Sequence, residues 1–343
     1  MARVVMADDG FAFDGKIAEK GPLGGAESAF VALAEALAAR GHSVTVCNRC
    51  EREVTRKGVR WAPLARDMPH TCDLYIGSRS HRVIGLVRHA KRRLFWLHNP
   101  ARHLRKPRNV WRLACYRPTL VVTGAYHAQT VPWWLLHGGC ETIPYGVHDR
   151  FRATAPREPP PPRAIFTSNP QRGLDWLLDL WARRIAPAVP GAELHIYGGP
   201  AVYGAFGARR ASEMEAALAR ADGLASRGVR RFAPVGREAL AAALAEARVM
   251  LYRGDAGETF CLALAEAQAM GVPAVVTSLG AVAERVDDGV SGHVAADDED
   301  FATTAIAALL DDDLWRRWHS GALDHQGGLS WDMVAARFEA LIG

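Results

Sequence analysis

The sequence predicts an α/β protein built from two Rossmann-like, doubly wound domains, and three observations support this fold class. Apolar strand patterns alternate with helical patterns through both halves of the chain, as a parallel sheet covered on both faces requires. The chain has 343 residues, which is long for a single hydrophobic core. A stretch containing five prolines, residues 152–163, separates the halves and is predicted to be a stiff, extended linker.

The first half begins with a predicted strand, Arg3–Ala7, and a glycine-rich loop, residues 21–27, before a helix at Ala26–Ala39. Gly24 and Gly25 would let a phosphate or sugar approach the backbone N–H groups, although a tight turn explains them equally well. The other strands predicted in this half are Ser43–Cys47, Leu74–Gly77, Leu94–Leu97 and Leu120–Thr123. A helix is predicted at Ala101–Cys115.

The second half repeats the alternation, without the three spaced glycines of a dinucleotide-binding fingerprint. Its predicted strands are Ala164–Thr167, Glu193–Tyr197, Val229–Phe232, Val249–Tyr252 and Ala274–Thr277. Its predicted helices are Leu174–Ile185, Arg210–Ser226, Glu238–Glu246 and Cys261–Met270.

Two glutamates eight positions apart, Glu258 and Glu266, carry the functional hypothesis. Glu258 lies in a turn after a strand, and Glu266 lies inside the next helix, which Gly271 ends. A turn before a helix presents backbone N–H groups to an anion. An ionised carboxylate only accepts hydrogen bonds, so Glu266 suits a pair of sugar hydroxyls. The pattern indicates a nucleotide-sugar diphosphate site, with an ordinary amphipathic helix as the alternative.

Residues 257–292 resemble the donor domain of the family-four retaining glycosyltransferases of the GT-B fold. The matching residues are the run Glu266–Pro273, followed by Gly280, Glu284, Gly289 and Gly292. Arg172–Asp175 resembles the family's K-G-L-D motif, and residues 141–148 resemble the end of its first domain, with Tyr145 and His148 replacing the usual Asn and Asp.

The resemblance implies two domains that face a cleft. It places an acceptor-side domain at residues 1–150, a nucleotide-sugar donor domain at 151–325, and a terminal helix at 326–343 that crosses back to the first domain. The implied catalytic residues are Arg172 at the leaving diphosphate, Glu258 at the sugar hydroxyls and His98 facing the transferred sugar. The implied donor-binding residues are Gly24, Gly25, Gly198, Val235, Thr259, Phe260 and Glu266.

One position departs from the family. A second cation usually stands five residues before the Arg172 position, and this chain has Thr167 there. Either the hydroxyls of Thr167 and Ser168 replace that charge, or Arg253 supplies it, or the site is weaker.

The predicted activity is that of a retaining hexosyltransferase, with a UDP-sugar favoured over a GDP-sugar as donor and a glycan, lipid-linked or small-molecule acceptor. Eight helical residues rise roughly 12 Å. Glu258 and Glu266 therefore do not form the pair of carboxyls, about 5 Å apart, of a retaining hydrolase. No Asp-x-Asp motif follows a suitable strand, so we expect no metal and no other cofactor. The alternatives are a non-catalytic GT-B scaffold or sugar-nucleotide-binding protein, and a GT-B epimerase or phosphorylase.

The charge distribution predicts an anionic partner. The net charge is +5, and residues 79–112 hold eleven Lys and Arg without an acidic residue. This basic run predicts an anionic acceptor or peripheral contact with anionic lipid, and no motif for nucleic acid accompanies it. No apolar run approaches the roughly 20 residues of a membrane span.

The start of the chain does not resemble a signal peptide. The six scattered cysteines predict reduced thiols, with zinc at Cys47 and Cys50 as the alternative. The expected location is the cytoplasm, including the inner face of the membrane.

Overall fold

The computed structural model describes residues 1–10, 12–13, 23–64, 68–152, 155–200, 210–326 and 329–342. The chain forms two compact units: Met1–Gly146 together with Leu329–Gly343, and Val147–Gly328. Each unit is built on its own largely parallel sheet. The predicted α/β class with two Rossmann-like domains is confirmed.

The first unit contains an eight-stranded sheet in the order β3-β4-β2-β1-β5-β6-β7-β8. Only β3 runs antiparallel to its neighbour. The strands are β1 (Arg3–Asp8), β2 (Ser43–Asn48), β3 (Val54–Arg56), β4 (Val59–Pro63), β5 (Thr71–Ser78), β6 (His89–Trp96), β7 (Thr119–Val122) and β8 (Gly139–Thr142). The helices of this part are α1 (Gly25–Ala39), α2 (Pro107–Tyr116) and α3 (Ala125–Gln129).

The second unit contains a six-stranded parallel sheet in the order β11-β10-β9-β12-β13-β14. The strands are β9 (Arg163–Phe166), β10 (Glu193–Tyr197), β11 (Val229–Phe232), β12 (Val249–Gly254), β13 (Ala274–Leu279) and β14 (Gly292–Ala295). The helices are α4 (Leu174–Leu180), α5 (Ala211–Asp222), α6 (Arg237–Ala245), α7 (Leu262–Ala269), α8 (Asp298–Leu310) and α9 (Asp312–Gln326). A π-helical turn, Trp181–Ile185, and a short segment, Ala186–Ala188, extend α4.

The last helix, α10 (Trp331–Glu339), belongs to the first unit, where it packs against α1. Ser330 caps it by accepting a hydrogen bond from the Met333 backbone N–H. Arg40, just after α1, forms ion pairs with Asp332 and Glu339. The resemblance predicts domain boundaries after residues 150 and 325, whereas the contacts divide the chain after Gly146 and after Gly328.

Several elements differ from the pattern-based expectation for local reasons. The single helix expected at Ala101–Cys115 is a 3-10 segment, Ala101–Arg105, followed by α2. Lys106 is extended between them because it precedes Pro107, and a residue before proline disfavours the helical conformation. Strands β3, β4, β8 and β14 were not predicted, since they are short or lack a clear apolar pattern.

The proline-rich segment packs within the second unit. The Arg157 backbone N–H donates to Nε2 of His319, and the Arg157 guanidinium donates to the carbonyls that end α6. Arg248 donates to the carbonyl of Pro160. The described part of the predicted linker is therefore held against α6 and α9.

Central strands such as β1 and β12 are apolar and almost fully buried, as expected of strands covered on both faces. None of the six cysteines, which all lie in the described ranges, forms a disulfide. Within the described ranges, no helix is both long enough and apolar enough to cross a membrane.

Candidate active site

The site lies at the carboxyl edge of the second sheet. It is formed by strand β12, the turn that follows it and helix α7. The pairing of β12 with β13 shifts register between Tyr252 and Gly254, so Arg253 lies in an irregularity of the strand. Gly254 has φ +85°, and a Cβ there would lie 2.4 Å from Val282 Cγ2. Such strand irregularities turn side chains away from the ladder and are common beside active sites.

Asp255 shapes the turn that follows. Its carboxylate accepts a hydrogen bond from the Gly257 backbone N–H at 2.7 Å, and its carbonyl accepts one from the Glu258 N–H at 2.9 Å. Cys261, with φ +67°, immediately precedes α7. This tight turn brings Glu258 inward, where only 7% of the residue is exposed.

Glu258 is the centre of a buried polar network. Its Oε2 accepts hydrogen bonds from Arg172 Nη1 at 2.5 Å and from the Tyr252 hydroxyl at 2.7 Å. The Ser168 hydroxyl lies 3.1 Å from that of Tyr252 and must donate to it, because the Tyr252 proton is used on Glu258. Burial and the nearby Glu258 raise the pKa of Tyr252, so this hydroxyl stays protonated at neutral pH.

The second carboxylate oxygen of Glu258, Oε1, accepts no hydrogen bond from any residue that the structure describes. Arg172 is one-third exposed and compensates the negative charge. The structure therefore brings two of the predicted catalytic residues into one ion pair, with one carboxylate oxygen that accepts no hydrogen bond from the described residues.

Two side chains lie near the position of the missing cation, and one of them is positively charged. Ser168, beside Thr167, is committed to Tyr252. Arg253 is exposed, and its Cβ lies 2.8 Å from the position that a Cβ on Gly173 would take. Its guanidinium lies over the Trp176 ring, 5.5 Å from the centroid, and makes no ion pair with a described residue. An uncompensated cation thus lies beside the Arg172–Gly173 loop.

Glu266 lies about one turn into α7 and is half-buried. Its carboxylate makes no hydrogen bond with the described residues. Burial raises the pKa of this carboxyl to about 7, and the positive charge of Arg237 acts in the opposite direction. Glu266 is therefore a carboxyl in a poorly solvated position without a protein partner in the described part of the chain.

The other predicted donor residues of this unit line the same edge of the sheet. Gly198 follows β10, and a Cβ there would lie 2.7 Å from the Ser168 carbonyl oxygen. Val235 is half-exposed just before α6. Thr259 and Phe260 are buried beside Glu258, and the Arg285 guanidinium lies 4.4 Å from the Phe260 ring centroid.

In the first unit, Gly24 and Gly25 lie at the N-terminus of α1, where Gly24 is buried and extended. Residues 21 and 22 of the predicted glycine-rich loop lie outside the described residues. Nearby, Arg79 forms a fork between two buried carboxylates, donating to Asp8 at 2.8 and 2.9 Å and to Glu27 at 2.5 Å.

This cluster corrects the interpretation of residues 79–112 as a continuous exposed basic surface. Arg79 was counted as the first cation of an exposed basic run, but it is the partner of two buried acids. Arg93 of the same run donates to the carbonyls of Ile84 and Val87. Lys91 pairs with Asp73 at 2.8 Å. Counting charges along the chain cannot reveal such partners. Asp8 at the end of a strand and Glu27 in the first turn of a helix could have indicated carboxylates available to pair with a cation.

His98 follows β6 in the interior of the first unit, with 7% of the residue exposed. Its Nδ1 lies 2.5 Å from the Tyr145 hydroxyl, and its ring packs against Trp96 with centroids 4.6 Å apart. Burial, together with the charge of Arg79, lowers the pKa of His98 well below its usual value. The imidazole is therefore neutral at pH 7.

Tyr145 is a residue whose role the sequence analysis did not find. It replaces the Asn of the family motif and supplies the hydrogen bond to His98. Its ring stacks on Trp331 of α10, with centroids 6.4 Å apart. Trp331 packs directly on Gly146, where a Cβ would lie 2.8 Å from the indole.

The second unit is similar in sequence to a known protein family. Residues 161–312 match the family model described as Glycosyl transferases group 1. The match covers 152 of the 343 residues and lies within the second unit, and the two sheets have the α/β architecture of the GT-B fold.

One curated protein and two solved structures illustrate the similarity, and their sequence identities to this chain are low. A D-inositol 3-phosphate glycosyltransferase of Geodermatophilus obscurus is 33% identical over 169 residues, which are 48% of this chain and only 36% of that protein. The sucrose-phosphate synthase of Thermosynechococcus elongatus superimposes with a TM-score of 0.77 at 17% identity, covering 99% of this chain and 98% of that one. Anabaena HepE in complex with UDP-glucose superimposes with a TM-score of 0.72 at 14% identity, covering 99% of each chain.

Proposed function

We propose that the protein is a family-four, retaining glycosyltransferase that moves a hexose from a UDP-sugar to a hydroxyl of a saccharide or lipid-linked acceptor. The observation that carries the proposal is the Arg172–Glu258 ion pair with its open carboxylate oxygen, inside the group 1 domain. The UDP-glucose in the HepE complex supports a UDP-sugar over a GDP-sugar.

The leaving diphosphate needs positive charge as the sugar–phosphate bond breaks. Arg172 directly precedes Gly173 and the Arg253 side chain packs beside Gly173, so we assign both arginines to the phosphates. Arg172 is partly compensated by Glu258, whereas Arg253 has no acidic partner in the described chain. The backbone N–H groups at Thr259 and Phe260, before α7, would add the positive end of the helix dipole. These donors would stabilise charge that grows toward the transition state.

The two glutamates receive different hydroxyl groups in this proposal. Oε1 of Glu258 would accept from the transferred sugar, while Arg172 and Tyr252 hold Oε2 in place. Glu266 would accept from the ribose hydroxyls, which supply the hydrogen bonds that its carboxylate lacks. Gly198 and Val235 would contact the rest of the nucleotide.

The bond changes of the proposed reaction balance without another reactant. The bond from the anomeric carbon to the phosphate oxygen breaks, and a bond from that carbon to the acceptor oxygen forms on the same face. The acceptor proton moves to an oxygen of the leaving phosphate. In the first unit, the neutral His98, held by Tyr145, would contact the transferred sugar, and Gly24 and Gly25 would admit the donor phosphate.

A non-catalytic sugar-nucleotide-binding protein is the second candidate, because the usual cation is missing at Thr167. Arg253 weakens this alternative, since its charge lies beside Gly173 and is available to a phosphate. The two candidates predict the same binding and differ in turnover.

The test combines calorimetric titration with UDP-, GDP- and dTDP-sugars and an assay of UDP release without an acceptor. We expect a UDP-sugar to bind and to be hydrolysed slowly, and hydrolysis to fall in Glu258→Gln. Binding without hydrolysis and without transfer to any saccharide or lipid-linked acceptor would favour the non-catalytic candidate. No binding of any nucleotide sugar would contradict both.

A further inference from the structure

The region between Asp73 and Glu141 has an unusual composition. Residues 74–140 contain twelve Lys and Arg and no acidic residue. Within the described chain, all three exposed tryptophans also lie in this region: Trp111 is 62% exposed, Trp133 is 93% exposed and Trp134 is 43% exposed. Leu136, beside them, is 52% exposed. Large apolar side chains concentrated on a basic surface are typical of an interaction site.

The tryptophan segment, residues 133–136, is held firmly in place. Leu135 is buried in the cluster that also contains Leu104 and Leu113. Its backbone N–H donates to the Pro132 carbonyl at 3.0 Å. Burial of Leu135 leaves its neighbours, Trp134 and Leu136, directed away from this core. The exposed side chains therefore belong to a packed structure rather than to a free end.

The same apolar cluster supports the basic segment, residues 102–112. Leu104 and Leu113 belong to the cluster, and the Ala101 backbone N–H donates to Thr130 Oγ1 just before the tryptophan segment. The two segments are thus the outer layer of one core. Trp111 projects from α2 with the Arg112 guanidinium 5.3 Å from its ring centroid.

The basic segment carries cations that have no acidic partner among the described residues. They are Arg102, Arg105, Lys106 and Arg108, all exposed. They differ from Arg79, Lys91 and Arg93 of the basic run, which pair with acids or carbonyl groups. The uncompensated charge therefore lies in the segment that carries Trp111 and shares its apolar cluster with the tryptophan segment.

We propose that this surface docks on a bilayer containing anionic lipid, with Trp133, Trp134 and Leu136 in the headgroup layer. Indole rings favour the membrane–water interface because one edge is polar and the rest is apolar. Cations beside them favour anionic headgroups, and each strengthens binding about fivefold. The proposal moves the docking site from the whole basic run to residues 102–136 and does not depend on the proposed transferase activity.

Vesicle flotation of the full chain tests the proposal. Phosphatidylcholine vesicles are compared with vesicles containing about 30% phosphatidylglycerol, at low salt and at about 0.5 M salt. We expect binding to the anionic vesicles only, and loss of it at high salt. Trp133→Ala with Trp134→Ala should weaken binding more than about tenfold, and Arg105→Gln with Lys106→Gln about twenty-five-fold.

Two control variants change similar exposed groups in the second unit. Leu310→Ala removes a 57% exposed apolar side chain, and Arg183→Gln removes an exposed cation. Both should bind vesicles like the wild type, and all variants should share its unfolding temperature. Brominated lipid should quench the fluorescence of the wild type more than that of the double tryptophan variant.

Equal flotation of the double tryptophan variant and the wild type would overturn the proposal. So would a monomer–dimer equilibrium, without vesicle binding, that the same double substitution abolishes, because the surface would then bind a second copy of the chain.

Discussion

Glu266 permits a quantitative test of donor binding, because burial raises the pKa of its carboxyl to about 7. We expect ribose hydroxyls to bind the ionised carboxylate. With a pKa of about 7, about one carboxyl in eleven is ionised at pH 6 and about ten in eleven at pH 8. The affinity for a UDP-sugar should therefore rise about tenfold between these pH values. Glu266→Gln cannot ionise, so its weaker affinity should be independent of pH over this range.

The same carboxyl should affect stability in the opposite direction. The folded state raises its pKa from 4.5 to about 7, so the neutral form is favoured in the fold. The stabilising contribution is present below pH 4.5 and is lost as pH rises through 7. From pH 5.5 to pH 8 the wild type should lose about 2 kcal/mol of unfolding free energy relative to Glu266→Gln. The variant should thus be more stable at pH 8 and bind donor less tightly.

The assays are calorimetric titration with UDP-glucose at pH 6, 7 and 8, and urea unfolding at pH 5.5 and 8. Glu215→Gln, which alters an exposed carboxylate on α5, is the matched control and should follow the wild type. A wild-type affinity that is constant from pH 6 to pH 8 would refute the reasoning. The same pH dependence in wild type and Glu266→Gln would remove Glu266 from the site.

The remaining predictions concern the two cations beside Gly173. Arg172→Ala should lower the rate of UDP release far more than donor affinity, because charge on the phosphate grows toward the transition state, and Arg172→Lys should keep part of the activity. Normal turnover in Arg172→Ala would contradict its assigned role. Arg253→Ala should weaken donor binding about tenfold or more, as expected for the loss of a charged hydrogen-bond donor. An unchanged calorimetric affinity would leave Arg253 outside the site, and Arg183→Ala serves as the control for loss of an exposed cation.

Local apolar and helical patterns in the sequence were sufficient to predict the α/β architecture. Strand β12, helix α7 and strand β13 follow from an apolar run, an alanine-rich helical stretch ended by Gly271, and a second apolar run. The short edge strands β3 and β8 carry few apolar residues and were missed for that reason. Pro107 divided a predicted helix, which the sequence rule for prolines could have indicated.

Contacts between distant residues could not be predicted in the same way. Arg172 and Glu258 were assigned separate ligands from their motifs, and only the fold shows that they share an ion pair across 86 positions. Tyr145 was noted only as a departure from a motif, because its partner His98 lies 47 positions away. The ion pair between Arg79 and Glu27 could not be predicted for the same reason, because 52 positions separate the two residues.

The central claim, transfer with retention from a UDP-sugar, is tested most directly by proton NMR of UDP-glucose hydrolysis by the protein without acceptor. UDP-glucose carries an α-linked sugar, so a retaining enzyme first releases α-glucose, and the β-anomer accumulates only by later mutarotation. We predict that the α-anomeric signal appears first and that Arg172→Ala slows its appearance. Initial release of β-glucose would contradict the account, and so would an absence of hydrolysis together with an absence of transfer.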